Sequence, residues 1–598
     1  MRASWNFQNK SFGFKYLIFS WALPILITLL VFPFVQKTGA SKIYFDPKII
    51  AELKVEIIQR GQAKTIELLP NPIVKSPFIF YQATIKKITL RPIASEIPII
   101  SLSEYGAQTP TTKAIPLTEI NGRWESPPLH YQSPITEFWG PIFGFYLKWV
   151  LYLSIIFAIG VMTTQWRKNK KELFFFFSIA SYFALQTFKY QPGILGGDSY
   201  QDFNNILLGI ISIFTGGLYS SLLIALIDIN HSMIMPMLFN LLIAALLFTL
   251  VFSICKTSRL ATAIYLTSLI LFLSNSVNGE LLLFQNRDVT FSLVFCIFLS
   301  SFSNQTSRPF TRCFLLLLTI MLRREAIFIL PFFIFFEHRR NQQSLRSTLR
   351  YFLIPILFVA GYTAANLSTK YNATGYINPM MHIIVKRGKS VLTNSEIDSV
   401  KDFVDFDKSI KIHRTYDIVE FHFDTINKGL LRDPDRERKL RKIALRLIWD
   451  YPGDYLENRL LLSKEMLGWT GPGVIAGYQS PLNSTYLELN HALPTAPDLN
   501  RKLVTIPNYG DHFWQKIFFR SAVPQFLMAI LSLFFFQWIP LTASASTLLL
   551  IRSLGLFALT PASYYKYAWS LSIWAALLPA LALAEWQGRR LRKGESSV

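Results

Sequence analysis

The chain has 598 residues, 51% of them apolar and only 16% charged, with 51 phenylalanines and a formal net charge of +23. That balance excludes an ordinary soluble enzyme and fits a protein solvated by a bilayer. The surplus Lys and Arg sits in short runs beside apolar stretches, as in cytoplasmic loops, so a nucleic-acid partner is not the reason for the charge.

In chain order, residues 1–36 carry an apolar run at about 15–35, longer than the core of a signal peptide, and read as an uncleaved anchor. Thr38-Gly39-Ala40 is the weak cleavage alternative. Residues 37–142 alternate polar and apolar, as in Leu53-Lys54-Val55-Glu56-Ile57-Ile58 and Ala83-Thr84-Ile85-Lys86-Lys87-Ile88-Thr89-Leu90. With Pro and Gly turns between them, these runs predict an exported β-sandwich-like domain. Residues 143–366 form the transmembrane core, with windows at about 143–163, 172–188, 236–255, 259–276, 289–304 and 350–366. Within it, shorter runs at 313–322 and 327–336 flank Leu322-Arg323-Arg324-Glu325-Ala326 and predict two short helices meeting at the outer surface. The stretch 205–232 is broken by Gly216-Gly217 and ended by Asp228, Asn230 and His231, which predicts interfacial or re-entrant helices.

Residues 367–516 predict a second exported domain, mostly helical, with Leu440, Ala444, Leu447 and Ile448 on one face. Residues 517–598 add windows at 517–536, 541–558 and 568–586 and a basic tail. The sum is a mainly α, polytopic protein with about twelve crossings. Placing both termini in the cytoplasm puts every basic run inside, including Arg167-Lys168-Asn169-Lys170-Lys171, Arg339-Arg340 and Arg589-Arg590-Leu591-Arg592-Lys593. The expected location is a plasma membrane, of the bacterial inner-membrane kind, with both large domains outside. The cysteines, Cys255, Cys296 and Cys313, all fall in or beside apolar stretches, so the exported domains have no disulfide framework and no Cys/His metal spacing.

Ionisable groups at membrane depth are costly and default to functional candidates. Gly196-Gly197-Asp198-Ser199-Tyr200-Gln201-Asp202 places two acids at the outer lip, where a carboxylate can take a proton from an attacking hydroxyl. The bland reading is a helix-capping loop. Gln285-Asn286-Arg287-Asp288 could bind an anionic headgroup, hold a divalent ion against a phosphate, or form an interfacial salt bridge. Arg323, Arg324 and Glu325 leave net positive charge suited to phosphate, unless they snorkel to the interface. Tyr564, Tyr565 and Lys566 occupy the last outer turn, with Arg552 inside the preceding span; the tyrosines alone would read as an aromatic belt.

The order and common side of Gly197-Asp198-Ser199-Tyr200-Gln201, Asn286-Arg287-Asp288, Arg324-Glu325-Ala326 and Pro561-Ala562-Ser563-Tyr564-Tyr565-Lys566-Tyr567 resemble the landmarks of integral-membrane glycosyltransferases of the GT-C type. The resemblance covers about 172–366 and 517–586, and the early loop lacks the adjacent acidic pair that several such families show. It implies a polyprenyl-phosphate-linked sugar donor and a hydroxyl acceptor on a glycan, lipid or protein. Asp198 would be the base, with Asp202 the second acid. Arg287, Arg323, Arg324, Lys566 and Arg552 would hold the donor phosphate, supported by Asp288, Glu325, Tyr564 and Tyr565. A single displacement would invert the anomeric centre. A divalent cation, Mg or Mn, is compatible with this scheme, with Asp288 as a ligand. The rival readings are an O-antigen polymerase or ligase using Arg387, His413, Arg414 or His422, a transporter or flippase, and a polysaccharide-assembly scaffold.

Overall fold

The computed structural model describes residues 41–44, 50–59, 62–68, 78–80, 83–92, 101–104, 112–120, 123–128, 170–189, 219, 222–223, 226, 234–283, 286–304, 309–341, 374–403, 434–467, 522–559 and 567–595. The anchor at 1–36 and the windows at 143–163 and 350–366 lie outside the described residues. Of 205–232 only Tyr219, Leu222, Leu223 and Leu226 are described, and Tyr219 and Leu223 are buried in the helical core.

Nine strands come first: β1 (Ser41–Tyr44), β2 (Ile50–Gln59), β3 (Gln62–Leu68), β4 (Phe78–Phe80), β5 (Ala83–Pro92), β6 (Ser101–Glu104), β7 (Thr112–Ala114), β8 (Thr118–Ile120) and β9 (Arg123–Glu125). They build two antiparallel sheets, β4-β1-β6-β7 and β3-β2-β5-β9-β8. Alternation sets the register. Val55 pairs with Ile88, and both are buried with Leu90, while Lys87 on the opposite face reaches Glu125 at 2.5 Å.

The rest of the described chain is helical: α1 (Lys170–Lys189), α2 (Ile234–Cys255), α3 (Arg259–Ser274), α4 (Ser276–Leu283), α5 (Arg287–Ser303), α6 (Pro309–Leu322), a 3-10 helix (Arg324–Ile329), α7 (Leu330–Asn341), α8 (Thr374–Arg387), α9 (Asn394–Phe403), α10 (Pro434–Asp450), α11 (Pro452–Met466), α12 (Val523–Phe534), α13 (Pro540–Leu559) and α14 (Trp569–Glu595). The protein is thus mostly helical. Among the described residues, three helices are long and apolar enough to cross a membrane, over Met235–Cys255, Pro540–Ala558 and Trp569–Leu591. Arg259–Ser274, Thr311–Leu322 and Val523–Phe534 are shorter apolar helices. Leu271, Leu531 and Phe534 point outward from such helices, and an apolar exterior of this kind suits a lipid solvent.

Local signals explain several helix ends. Ser258 accepts from the Ala261 amide at 3.1 Å and starts α3 after a three-residue turn from α2. Thr393 and Glu396 exchange side-chain-to-amide bonds across the start of α9, a capping box. Glu585 on α14 accepts from the Leu541 and Thr542 amides at 2.8 Å each, closing the N-terminus of α13 from a neighbouring helix. α5 is central, packed against α2, α6, α13 and α14, and nearly all its residues are buried. Phe291, Phe295 and Phe298 stack along it at centroid separations of 5.5 and 6.1 Å, and Phe298 meets Phe333 of α7 at 5.5 Å.

Two boundaries differ from the sequence expectation. Residues 305–312 and 337–349 lie outside the apolar windows, yet Arg312 lies within α6 and Glu337 within α7, both with no solvent exposure. Their guanidinium and carboxylate pair through two bonds, Nε to Oε1 at 2.5 Å and Nη2 to Oε2 at 2.7 Å. Charge that seemed to demand water is neutralised inside the bundle instead. The basic tail also departs from expectation, since α14 runs helical through Arg589 and Arg590 to Glu595.

Candidate functional site

The site forms where α5 begins, α6 ends and α14 begins. Asn286 caps α5 by accepting from the Asp288 amide at 2.8 Å, and the acid in the first turn suits the positive end of the helix dipole. α6 stops at Leu322, and Arg323 adopts an extended conformation before the 3-10 turn that carries Glu325. This break lets Arg323 reach back to α5. Its Nε donates to Asp288 Oδ1 at 2.5 Å, its Nη1 donates to Glu325, and its guanidinium lies over the Tyr567 ring at 4.6 Å. Arg287 flanks the same carboxylate, with Nε 3.8 Å from Asp288 Oδ1.

Arg552 enters from α13. It donates to the Tyr567 carbonyl at 2.6 Å and the Ser570 hydroxyl at 3.2 Å, and its guanidinium sits over Phe291 at 4.7 Å. Its Nε is buried without a hydrogen-bond partner among the described residues. Glu325 lies in the electrostatic field of Arg323, Arg552 and Arg287 together. Among the described residues, three guanidiniums thus lie in one field with two carboxylates. Arg287 and Glu325 are the more accessible members, with side chains 19% and 18% exposed against 3% for Asp288.

Five sequence candidates therefore come together: Arg287, Asp288, Arg323, Glu325 and Arg552. Asp198, Asp202, Tyr564, Tyr565 and Lys566 lie outside the described residues, as does the side chain of Arg324, whose backbone opens the 3-10 turn. Arg552 makes its hydrogen bonds to Tyr567 and Ser570 and none to Asp288 or Glu325, so it bears on the two carboxylates through its charge. Asp288 and Glu325 do not fit a divalent cation as they stand, because Arg323 already serves both carboxylates. Among the described residues no group of three His, Cys, Asp or Glu side chains is placed to hold a metal.

Sequence reasoning placed Tyr567 in the last outer turn without a role of its own, and missed Ser570. Tyr567 presents its ring to one arginine and its carbonyl to another, and the only available signal was its position next to Lys566. It also missed the polar contacts that support the site from below. Thr290 donates to Asn240 on α2 at 2.7 Å, and the Trp569 indole donates to Asn278 on α4 at 3.0 Å.

The helical unit α8–α11 carries a second charged group. Arg387 donates to Asp454 at 2.6 Å and lies over Tyr451 at 5.0 Å; Lys386 reaches Asp454 at 2.8 Å and also pairs with Glu457. Arg387, a candidate in the polymerase reading, is thus engaged in an ion-pair network, while His413, Arg414 and His422 lie outside the described residues. Hydrogen bonds from Arg387 and then Lys386 hold the Asp454 carboxyl below its ordinary range. A depressed folded-state pKa stabilises above the unfolded value, about 3.9, and the contribution is lost as pH falls through the folded value. Thermal midpoints should therefore fall below about pH 4. Asp454→Asn should lower the midpoint at neutral pH and flatten that acid limb; an unchanged acid limb would remove Asp454 as a cause. Comparison with known proteins returns no matching family, no similar curated protein and no similar solved structure.

Proposed function

We propose that this protein is a membrane glycosyltransferase that moves a sugar from a polyprenyl-phosphate-linked donor to a hydroxyl acceptor on the outer side of the membrane. The observation that carries this reading is the cluster of Arg287, Asp288, Arg323, Glu325 and Arg552, drawn from three separate stretches of chain to one end of the helix bundle, with three guanidiniums to two carboxylates among the described residues. A lipid phosphate is the anion that such a position in a membrane protein would meet.

The topology belongs to the same proposal. Arg339, Arg340, Arg589 and Arg590 close the end of α7 and α14 opposite to the cluster, so the positive-inside rule makes that end cytoplasmic and the cluster exoplasmic. About twelve crossings and two exported domains complete the arrangement.

In the reaction, the Asp198 carboxylate accepts the acceptor hydroxyl proton as the oxygen attacks the anomeric carbon. The bond from that carbon to the phosphate oxygen breaks, and its electron pair leaves with the lipid phosphate. Arg287 and Arg323 stabilise the charge that grows there, with Lys566 in the same role. One displacement inverts the anomeric centre.

Purified protein in lipid nanodiscs, given labelled polyprenyl-phosphosugars, tests the proposal. Asp198→Asn is expected to lower transfer by about 10²- to 10⁴-fold, the range of a lost general base. Undiminished transfer by that variant would remove Asp198 as the base and favour the polymerase or ligase reading. No transfer by the unaltered protein from a panel of donors would overturn the enzymatic assignment.

A further inference from the structure

Helices α10 and α11 bury one face of each in the helical unit, through Leu440, Ile443, Ala444 and Leu447 on α10 and Asn458 and Leu462 on α11. Where the two helices meet, the opposite faces expose large apolar side chains, beside the partly exposed Arg446, Asp450 and Glu457. Trp449 is 85% exposed, Leu445 56%, Leu456 49% and Leu460 55%. A bare tryptophan with three bare leucines around one corner is a large apolar surface to leave in water. Further along the same outward faces the character changes. Arg438, Lys439, Arg441 and Lys442 are exposed toward the start of α10, and Lys464 toward the end of α11. Apolar residues at a corner with cations farther out form the pattern of an element that dips into an interface and leaves its charges at headgroup level.

The position of the corner says which surface covers it. The Tyr455 hydroxyl donates to the Ala558 carbonyl at 3.2 Å. Ala558 ends the apolar window of α13, which holds 19 residues from Pro540. At about 1.5 Å per residue this window measures about 28 Å, close to the hydrocarbon thickness of a bilayer. Tyr455 is therefore fastened at the level where hydrocarbon gives way to headgroups, and Leu456 is its neighbour in sequence. One turn back along α13, Leu554 is 62% exposed, and Gly555 leaves room for the Phe328 ring.

We propose that the α10–α11 corner is a membrane-interface anchor. Trp449 and Leu460 would sit in the headgroup–acyl boundary of the leaflet at the C-terminal end of α13, with Arg441, Lys442 and Lys464 toward the lipid phosphates. Tryptophan is favoured at that depth, where its ring is desolvated and its N–H stays near polar groups. Anchoring holds the helical unit against the membrane beside the arginine cluster. The inference requires that α13 crosses the bilayer but not that the protein transfers sugar.

Cys255, Cys296 and Cys313 are all buried, so a single introduced cysteine can be labelled selectively in the full chain. Trp449→Cys and Leu460→Cys, each carrying a bimane fluorophore, are compared in nanodiscs with Lys439→Cys, ten residues before Trp449 on α10. Lipids spin-labelled near the headgroup should quench labels at 449 and 460 several-fold more than the label at 439. Aqueous iodide should show the reverse order. If iodide reaches all three positions alike without lipid quenching, the corner is an open surface and the proposal fails. If labels at 449 and 460 are shielded from iodide but not quenched by lipid, a second copy or another protein covers the corner, and the proposal fails again. All three positions are exposed, so folding should survive, and an unchanged melting transition checks this. Failure of this experiment would leave the transfer assay unaffected, and the reverse also holds.

Discussion

Replacing Arg323 with alanine is expected to abolish activity and to lower stability by about 3–5 kcal/mol, the cost of stranding a buried charge. Arg323 is 8% exposed and is the shared partner of Asp288 and Glu325. Its removal leaves the two carboxylates facing each other's field with Arg287 and Arg552 as the remaining cations. Glu325, at 18% side-chain exposure, can recover some water; Asp288, at 3%, cannot. The larger part of the penalty therefore falls on Asp288, at the first turn of the central helix α5.

Arg323→Lys separates folding from binding. A lysine keeps the charge but loses the planar fork that serves two acids and the flat face that lies over Tyr567. It should fold with a modest loss of thermal stability, yet bind the donor phosphate more weakly, seen as a rise in KM larger than the fall in kcat. Wild-type melting by Arg323→Ala would refute the electrostatic account of this cluster. Full donor affinity in Arg323→Lys would remove Arg323 from the binding site while leaving its structural role.

The sequence made the helices legible where apolar runs ended in capping residues. The windows at 172–188, 236–255, 259–276 and 541–558 match α1, α2, α3 and α13 to within about two residues, a normal scatter for helix ends. Asn286 caps the start of α5, a role the sequence reading did not give it. Hydropathy failed where one helix completes another. Arg312 and Glu337 are 25 residues apart, Asn278 and Trp569 are 291 apart, and no local pattern reveals such pairs. The cluster itself was half legible. Its charged members stood out because charge is rare in apolar surroundings, but Tyr567 and Ser570 act through a ring face, a carbonyl and a hydroxyl that any interfacial segment can carry.

The second large effect is expected at the opposite end of the bundle, where Arg312 and Glu337 join α6 to α7 with neither side chain exposed. Glu337→Gln leaves the guanidinium buried without its counter-charge and should cost about 3–5 kcal/mol. Arg312→Met should do the same to the carboxylate. The double variant Arg312→Met/Glu337→Leu removes both charges and fills the space with apolar atoms, and it should regain most of the loss, because a hydrophobic replacement avoids the desolvation of two ions. A double-mutant cycle measures this directly as a large non-additive term in thermal or denaturant unfolding. The effect should not stay local. Arg340, in the same layer, donates to the Phe302 and Asn304 carbonyls at 2.5 and 2.6 Å and fastens the last turn of α5. α6 and α7 also flank the Arg323–Glu325 turn, so loosening their far ends frees the hairpin that aligns the cluster. Single variants should therefore lose activity at temperatures where they remain folded, and the double variant should recover it. Additive losses in the cycle would show that the two groups do not act as a pair, and the rigidity of the hairpin would then need another source.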